Sequence, residues 1–267
     1  MTAPVLVDRD AHVAVVTLNR PHKHNALNLE MLEALTDAGR TLAADRRVRA
    51  VVLCGAGDTF CAGIDTSIFT ATGIAAAGAG RMQPMSDSPA NFFQRAALVW
   101  QELPVPVIAA IDGVAFGGGL QIAMGADIRL AAETARFSVM EIRWGIVPDM
   151  GITSSMRHVM PLDRLKELVF TGRIVAAPEA HELGLVTALS AEPVAAAHRL
   201  ATDISGHSPD AVRAAKALLN EGYDEDRAAA LRREARTQQA LMGTRNQLEA
   251  VTANSEKREP RFHDAAE

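Results

Sequence analysis

Apolar positions follow two periods along the chain, and these periods predict a mixed α/β fold. Short runs rich in β-branched residues, at positions 11–18, 49–54 and 106–111, have the length and composition of buried strands. Between the first two runs the apolar residues recur with a helical period. Asn28 precedes that stretch and is suited to cap a helix. The apolar face of this helix consists of Met31, Leu32, Leu35, Ala38 and Leu42.

The second half of the chain predicts two short strands and then mostly helices. Residues 127–131 and 136–139 form the strand pair, with a turn at positions 133–134. The later helices are alanine-rich and amphipathic, a pattern typical of helices that pack on a neighbour or on another subunit. The predicted elements from position 162 onward are helices at 164–170, 178–182, 194–204, 211–219, 226–242 and 247–253, and one strand at 185–189.

The stretch at positions 113–121, Gly-Val-Ala-Phe-Gly-Gly-Gly-Leu-Gln, lies between a predicted strand and a buried helix. Consecutive glycines allow close approach of the backbone to a ligand, and a helix N-terminus leaves N–H groups that favour negative charge. The spacing matches neither the phosphate-binding loop nor the dinucleotide fingerprint. Two interpretations stay open: close packing of helix on strand, or a site for an anion or a developing negative charge.

Two further segments are candidates for a ligand site. Residues 59–65 form a glycine-containing loop after the second strand. Residues 66–89 are rich in Ala, Gly, Ser, Thr and Met and have no steady period, which predicts a mobile surface segment with one weak helix. Such segments often form lids or pocket walls, although a plain surface insertion fits equally well. A helix at 91–103 follows.

Composition narrows the class of protein. The 267 residues, 48% of them hydrophobic, allow one large domain or a domain with an appendage. A net charge of −5 and 4% aromatic residues argue against nucleic acid as a partner. There is no apolar run of about 18 residues and no signal-like N-terminus, so we expect a soluble cytoplasmic protein with Cys54 and Cys61 reduced. His22 and His24 lack acidic or cysteine partners at useful spacing, so no metal site is predicted.

Six motifs, in order along nearly the whole chain, resemble the enoyl-CoA hydratase/isomerase (crotonase) family. They are Asn19-Arg20-Pro21 with Asn25-Ala26-Leu27, residues 60–65, residues 106–119, Glu141 with Gly145, Pro148 and Gly151, residues 171–186, and Glu256-Lys257-Arg258. The resemblance implies an α/β fold, a crotonase-like spiral of ββα turns. It also implies a core at 1–200 holding an acyl-CoA site and a C-terminal helical trimerisation region at 201–267. The protein would assemble as a homotrimer or hexamer.

The resemblance also assigns roles to residues. The N–H groups of Ile64 and Gly118 would form an oxyanion hole, with Glu141 as the acid–base group. Coenzyme A would enter as part of the substrate, with no separate cofactor, and Lys257 would reach its phosphate, from the same or a neighbouring subunit. The remaining substrate-binding residues would be His22, Lys23, His24, Ala26, Ala62, Gly63, Asp65, Gly117 and Gly145.

Two positions depart from the family's hydratase pattern. Hydratases carry a second glutamate on the helix after the glycines, where this chain has Gln121, an amide that cannot transfer a proton as an acid–base group. Asp149, eight residues after Glu141, resembles an acid of the dienoyl-CoA isomerase branch, but the match is partial because that branch also has an acid at the position of Gln121. The alternative for Asp149 is a helix N-cap before Gly151.

These residues predict an acyl-CoA enzyme that works through an enolate, with double-bond isomerisation of an enoyl-CoA or dienoyl-CoA favoured. Hydration of a 2-enoyl-CoA is the alternative reaction. A non-catalytic acyl-CoA-binding protein, in which Gln121 marks lost chemistry, is the alternative from another class.

Overall fold

Two sheets organise the computed structural model, which describes residues 3–70, 72–73, 78–86 and 88–265. The larger sheet has the strand order β1-β2-β3-β4-β6-β9, in which β1 is antiparallel to β2 and all other neighbours are parallel. The smaller sheet has the order β5-β7-β8. The strands are β1 Val5–Asp10, β2 Val13–Leu18, β3 Ala50–Gly55, β4 Val107–Ile111, β5 Val114–Phe116, β6 Ile128–Ala131, β7 Arg136–Ser138, β8 Val175–Ala176 and β9 Ala188–Leu189.

Helices connect the strands and make up the C-terminal part. They are α1 Leu29–Ala44, α2 Phe92–Glu102, α3 Gly118–Met124, α4 Ile152–Ser155, α5 Leu162–Thr171, α6 Ala177–Glu182, α7 Pro193–Ser205, α8 Pro209–Gly222, α9 Arg227–Leu241 and α10 Arg245–Glu256. Short 3-10 helices occur at Pro21–Lys23, Thr66–Phe69, Ala79–Met82 and Glu141–Trp144. Among the described residues, no helix combines the length and apolar character needed to cross a bilayer.

From β4 to β7, successive strands alternate between the two sheets, which forms ββα units. β4 belongs to the larger sheet, β5 to the smaller one, and α3 follows directly. The next pair, β6 and β7, repeats this alternation, and β7 pairs in parallel with β5. The glycine run therefore begins where a strand of the smaller sheet ends.

The sequence-based prediction missed two strands that matter here. β5 has only three residues and lies inside the stretch interpreted as a loop after β4. β1 is an exposed edge strand, so its residues lack the apolar pattern of the buried strands. The strand predicted at 185–189 is also shorter, because only Ala188–Leu189 pairs with β6. The other predicted helices and strands are present, with ends shifted by a few residues.

The predicted boundary between residues 200 and 201 falls inside α7. Ala197 and Ala201 of this helix are fully buried against the larger sheet, together with Val52 and Ile108. The helix after it is also tied to the core. Nζ of Lys216 on α8 donates 2.7 Å to the carboxylate of Asp127, which lies directly before β6. The division into a core and a C-terminal region stays a prediction, but a cut after residue 200 would split a packed helix.

Candidate active site

The loop at residues 61–65 runs beside β5 and so meets the glycine run. The N–H of Cys61 donates to the carbonyl of Val114 over 2.9 Å, and the N–H of Phe116 donates to the carbonyl of Cys61 over 3.0 Å. Gly63 has a φ of +96°, and a Cβ there would lie 2.8 Å from the carbonyl oxygen of Phe116. Only glycine allows this close approach, which brings the two predicted oxyanion loops side by side.

Gly117 turns the chain from β5 into α3, with φ +50° and ψ −122°. Gly118 is then the first helical residue, so its N–H has no acceptor within the helix. A Cβ on Gly118 would lie 3.5 Å from Cδ1 of Ile64. Within the part of the chain that the structure describes, neither the N–H of Ile64 nor that of Gly118 has a protein acceptor. Two neighbouring backbone donors are thus left for a ligand, as the predicted oxyanion hole requires.

Gln121 and Glu141 are buried and in direct contact. Nε2 of Gln121 donates a 2.6 Å hydrogen bond to Oε1 of Glu141. Oε1 of Gln121 accepts from the N–H of Met150 over 2.8 Å, which fixes the orientation of the amide. Oε2 of Glu141 is buried and has no hydrogen-bond partner among the described residues. The carboxylate therefore has one anchored oxygen and one free oxygen.

Burial raises the pKa of Glu141 above its ordinary value, because the charged form loses its hydration. The hydrogen bond from Gln121 opposes this rise, and the negative charge of Asp149 adds to it. Burial also raises the pKa of Asp149. A carboxyl group whose pKa lies closer to neutrality than usual suits proton transfer.

A cavity of about 100 Å³ contains this carboxylate. Of the described residues that line it, Glu141 alone is ionisable, and the others are small or apolar apart from a threonine. The lining residues are Ala62, Gly63, Ile64, Thr66, Phe69, Gly117, Gly118, Met140, Glu141, Trp144 and Ile146. Both predicted oxyanion donors and the predicted base therefore share one small, mostly apolar cavity.

The other predicted substrate-binding residues form two groups, one on the loop at residues 22–26 and one at Gly145. His22, Lys23 and His24 are exposed on a loop beside the cavity, where the carbonyl of His24 accepts from the N–H of Ala62 over 3.0 Å. Ala26, half-buried, lies on the same loop. In the second group Gly145, with φ +71°, ends the 3-10 helix Glu141–Trp144 and is exposed.

Lys257 and Asp149 do not line the cavity within the described chain. Lys257 is exposed and caps the end of α10. For Asp149, the N-cap alternative is wrong. Gly151, with φ +89°, occupies the N-cap position of α4, and no side chain caps that helix. The helix α4 therefore begins two residues later than expected. The Asp149 carboxylate is half-buried and close enough to act on the charge of Glu141.

The sequence motifs contained Arg20 and Asn25 without assigning a role to either. Oδ1 of Asn25 accepts from the N–H of Arg20 over 2.9 Å, and its Nδ2 donates to the carbonyl of Thr59 over 2.6 Å. The guanidinium of Arg20 donates 3.1 Å to Asp65. Burial would raise the pKa of Asp65, but hydrogen bonds from Ser67 and Arg20 hold it below the ordinary value. Asp65, predicted to contact CoA, is thus already used to fix the loop that carries Ile64.

Residues 66–69 supply a wall of the cavity, which agrees with the pocket-wall interpretation for that part of the segment. Thr66 and Phe69 line the cavity, and the Phe69 ring stacks on Trp144 with a centroid distance of 5.3 Å. Positions 71, 74–77 and 87 of the same segment lie outside the described residues.

Comparison with known proteins agrees with this geometry. A sequence profile described as enoyl-CoA hydratase/isomerase matches residues 8–265. The chain belongs to the enoyl-CoA hydratase/isomerase family. It is therefore an enzyme of the hydratase/isomerase type that acts on acyl-CoA thioesters.

Relatives and solved structures of this family cover nearly the whole chain. A short-chain-enoyl-CoA hydratase of Clostridium acetobutylicum is 35% identical over 257 residues, with 95% of each chain covered. The mitochondrial methylglutaconyl-CoA hydratase of Mus musculus is 31% identical, with 96% of this chain and 81% of the relative covered. The crystal structure of an enoyl-CoA hydratase from Bacillus anthracis superimposes with a TM-score of 0.86 at 31% identity, covering 98% of this chain and 100% of that one. The crotonase-like fold is thereby confirmed.

Proposed function

We propose that this family member moves the double bond of an enoyl-CoA, with Glu141 as its single acid–base group. The observation that carries the proposal is the environment of this carboxylate. Of the described cavity-lining residues it alone is ionisable, and its Oε2 is buried and unpartnered. One carboxylate within reach of two carbons can remove a proton from one and return it to the other, which is the whole of an isomerisation.

The thioester carbonyl would accept hydrogen bonds from the N–H groups of Ile64 and Gly118. Oε2 of Glu141 would then take a proton from the carbon between the carbonyl and a 3,4 double bond. The electron pair moves onto the carbonyl oxygen as an enolate, whose charge the two N–H groups would stabilise. Removal of one hydrogen-bond donor from an oxyanion hole typically costs about 3–4 kcal/mol of activation free energy. Glu141 then returns the proton to the far carbon of the original double bond. The new 2,3 double bond is conjugated with the thioester, and the substrate neither gains nor loses an atom.

Asp149 extends the proposal to dienoyl-CoA substrates. Its half-buried carboxylate is near enough to influence Glu141, although it does not line the described cavity. In a 3,5-dienoyl-CoA the proton must return further from the carbonyl, where a second acid would shorten the transfer. Substrate-induced movement of the residues next to Pro148 would be needed to bring Asp149 to the acyl chain.

Hydration of a 2-enoyl-CoA is the second candidate. It is supported by the name of the Clostridium relative, a short-chain-enoyl-CoA hydratase. Against it stands the fixed amide of Gln121, which donates to Glu141 and accepts from Met150 where a hydratase would have a second carboxylate. We therefore place hydration second. A purely binding role is set aside because the matching family is described as enoyl-CoA hydratase/isomerase and a buried carboxylate suited to proton transfer is present.

The test is a turnover assay of the purified protein on matched 2-enoyl-, 3-enoyl- and 3,5-dienoyl-CoA thioesters. We expect formation of conjugated product from a 3-enoyl-CoA or 3,5-dienoyl-CoA and slow hydration of crotonyl-CoA. Hydration at about 10–10³ per second, a rate typical of good enzymes, with neither unconjugated substrate converted, would replace isomerisation by hydration. Calorimetric binding without any turnover would contradict both reactions.

A further inference from the structure

We propose that the stacked pair Phe69 and Trp144 closes the acyl end of the cavity and restricts the enzyme to short acyl chains. This inference deepens the proposed function, since it rests on an acyl group entering the cavity beside Glu141. It does not depend on whether the double bond is moved or hydrated.

Two 3-10 helices build the closure. In a 3-10 helix the side chains at i and i+3 lie one above the other. Glu141 and Trp144 are the first and last residues of one such helix, and both line the cavity. Thr66 and Phe69 hold the same positions in the other and also line it. Each helix therefore lines the cavity with its first residue and with an aromatic ring one turn further along, although Glu141 is buried and Thr66 is exposed.

The two rings stack on each other, and both line the cavity. Their centroids lie 5.3 Å apart with an interplanar angle of 26°, an offset stack. Trp144 is 53% exposed and Phe69 is partly buried, so the pair lies where the wall of the cavity meets solvent. The stack is the wall that an acyl chain would meet as it extends past Glu141.

The cavity behind this wall is small. Its volume of about 100 Å³ is well below the roughly 300–1,000 Å³ of pockets that enclose drug-sized ligands. The cavity has one carboxylate, no cationic side chain among its described lining residues and several apolar ones, including Ile64, Met140 and Ile146. This lining suits a short, uncharged, apolar acyl group. A longer chain would require the two rings to separate.

Hydrogen bonds to the Asp65 side chain hold the segment that carries Phe69. Asp65 accepts from the N–H of Ser67 and caps the 3-10 helix that ends at Phe69, while Arg20 holds the same carboxylate. The loop that carries the oxyanion donor Ile64 is therefore continuous with the wall. Phe69 and Ile64 therefore belong to one short segment but act through different groups, a ring and a backbone N–H, so a change at the ring alone can alter chain-length selection without altering carbonyl binding.

The experiment compares Trp144→Ala, Phe69→Ala and Trp144→Phe with wild type. Ile142→Ala is the matched control, because Ile142 is an exposed apolar residue of the same 3-10 helix that does not line the cavity. The first readout is kcat/KM on 3-butenoyl-, 3-hexenoyl-, 3-octenoyl- and 3-decenoyl-CoA, or on the matching 2-enoyl series if hydration is the reaction. The second readout is calorimetric binding of the saturated butanoyl-, octanoyl- and decanoyl-CoA, which needs no turnover.

Wild type should prefer the short chains. Each alanine variant should raise the long-to-short ratio of kcat/KM by about 10-fold or more, since one methylene in an apolar pocket changes kcat/KM by roughly 10–200-fold. Trp144→Phe and Ile142→Ala should keep the wild-type ratio. Equal binding of butanoyl- and decanoyl-CoA by wild type, or alanine variants whose ratio does not change, would overturn the inference. If no substrate is turned over but binding shows the length effect, the proposed reaction fails and the inference stands.

Discussion

Nε2 of Gln121 lies 2.6 Å from Oε1 of Glu141, while Oε2 of the same carboxylate is buried without a partner among the described residues. The two oxygens of this carboxylate are therefore not equivalent. Burial raises the pKa of the carboxyl group as a whole, and the hydrogen bond from Gln121 to Oε1 opposes that rise. Because the N–H of Met150 fixes the amide of Gln121, this asymmetry is built into the site, and we propose that Oε2 is the oxygen that transfers the proton.

Replacement of Glu141 by glutamine should abolish most catalysis and leave the fold intact. The amide oxygen can still accept from Gln121, but the side chain can no longer take a proton, so kcat should fall by roughly 10²-fold or more on every substrate. The pKa of Glu141 is raised in the folded state, so ionisation of this group begins to oppose folding above the pKa of the unfolded chain and does so in full above the raised value. Glu141→Gln should therefore melt at the same temperature as wild type or higher at neutral pH. Full turnover by this variant would show that Glu141 is not the base.

The raised pKa of Glu141 also predicts the pH dependence. Activity requires the ionised carboxylate, so kcat/KM should fall as pH drops through a pKa above the usual value for glutamate, about 4.3. Asp149→Asn removes a charge that opposes this ionisation, and the acid limb should shift to lower pH. On the alkaline plateau of the pH profile, Asp149→Asn should turn over a 3-enoyl-CoA within about 3-fold of wild type. A large loss is expected only with a dienoyl-CoA. Glu133→Gln, at an exposed turn, is the control; an acid limb that moves equally in both variants contradicts the assignment.

What the sequence predicted well were the features with local causes. Asn28 caps α1 by accepting from the N–H of Met31, as its position before the apolar face indicated. The glycines between strand and helix were recognised from their residue type and spacing. These features depend on a few neighbouring residues and are therefore visible in the sequence. The role of Glu141 was inferred instead from the family resemblance.

The features that the sequence did not predict join distant segments. Phe69 and Trp144 are 75 positions apart, and nothing local indicates that their rings stack. The role of Asn25 depends on backbone groups of Ala56 and Thr59, which are brought near by β3. The three residues of β5 are too few for a periodic signal, and their pairing with β7 defines them as a strand.

Substitutions at Gly118 should separate the role of its N–H from that of its lack of a side chain. Gly118→Ala keeps the N–H and places a Cβ 2.9 Å from Sδ of Met150 and 3.2 Å from Cδ1 of Leu27, both flexible side-chain atoms. Gly118→Pro removes the N–H at a first helical position, where proline is otherwise tolerated. We expect a modest loss for alanine and a further drop in kcat of about 10²–10³-fold for proline. Equal kinetics for the two folded variants would remove Gly118 from the oxyanion hole.

The C-terminal helices should assemble the protein on three-fold symmetry. Helices α8, α9 and α10 expose several large apolar side chains, and such surfaces typically mark protein–protein contacts. These residues are Leu219, Tyr223, Leu231, Leu248 and Val251. Sedimentation should give three or six times the 28.4 kDa of one chain at micromolar concentration, and Leu248→Glu should lower that mass. Sedimentation of wild type as a monomer would contradict the prediction.

Gln121→Glu should create the second carboxylate that hydration requires. Its oxygens would lie about where the Gln121 amide now contacts Glu141, at 2.6 Å, and two carboxylates that close share one proton. One group then stays ionised to activate water while the other holds a proton for the α carbon. The N–H of Met150 can still donate to residue 121, so the geometry should persist.

We therefore expect hydration of crotonyl-CoA to rise by about 10-fold or more, with a bell-shaped pH profile that reports the pair. Isomerisation should stay level or fall. The proton shared by the two carboxylates leaves Glu141 ionised, and so able to act as the base, for only part of the time. Gln121→Met is the matched control, since it has similar length but no proton to share. It should weaken isomerisation without raising hydration. Two results would show that the amide at position 121 does not decide between the two reactions: a parallel change of both reactions in Gln121→Glu, or an equal rise of hydration in Gln121→Met. Selection must then come from how the acyl chain lies against Glu141.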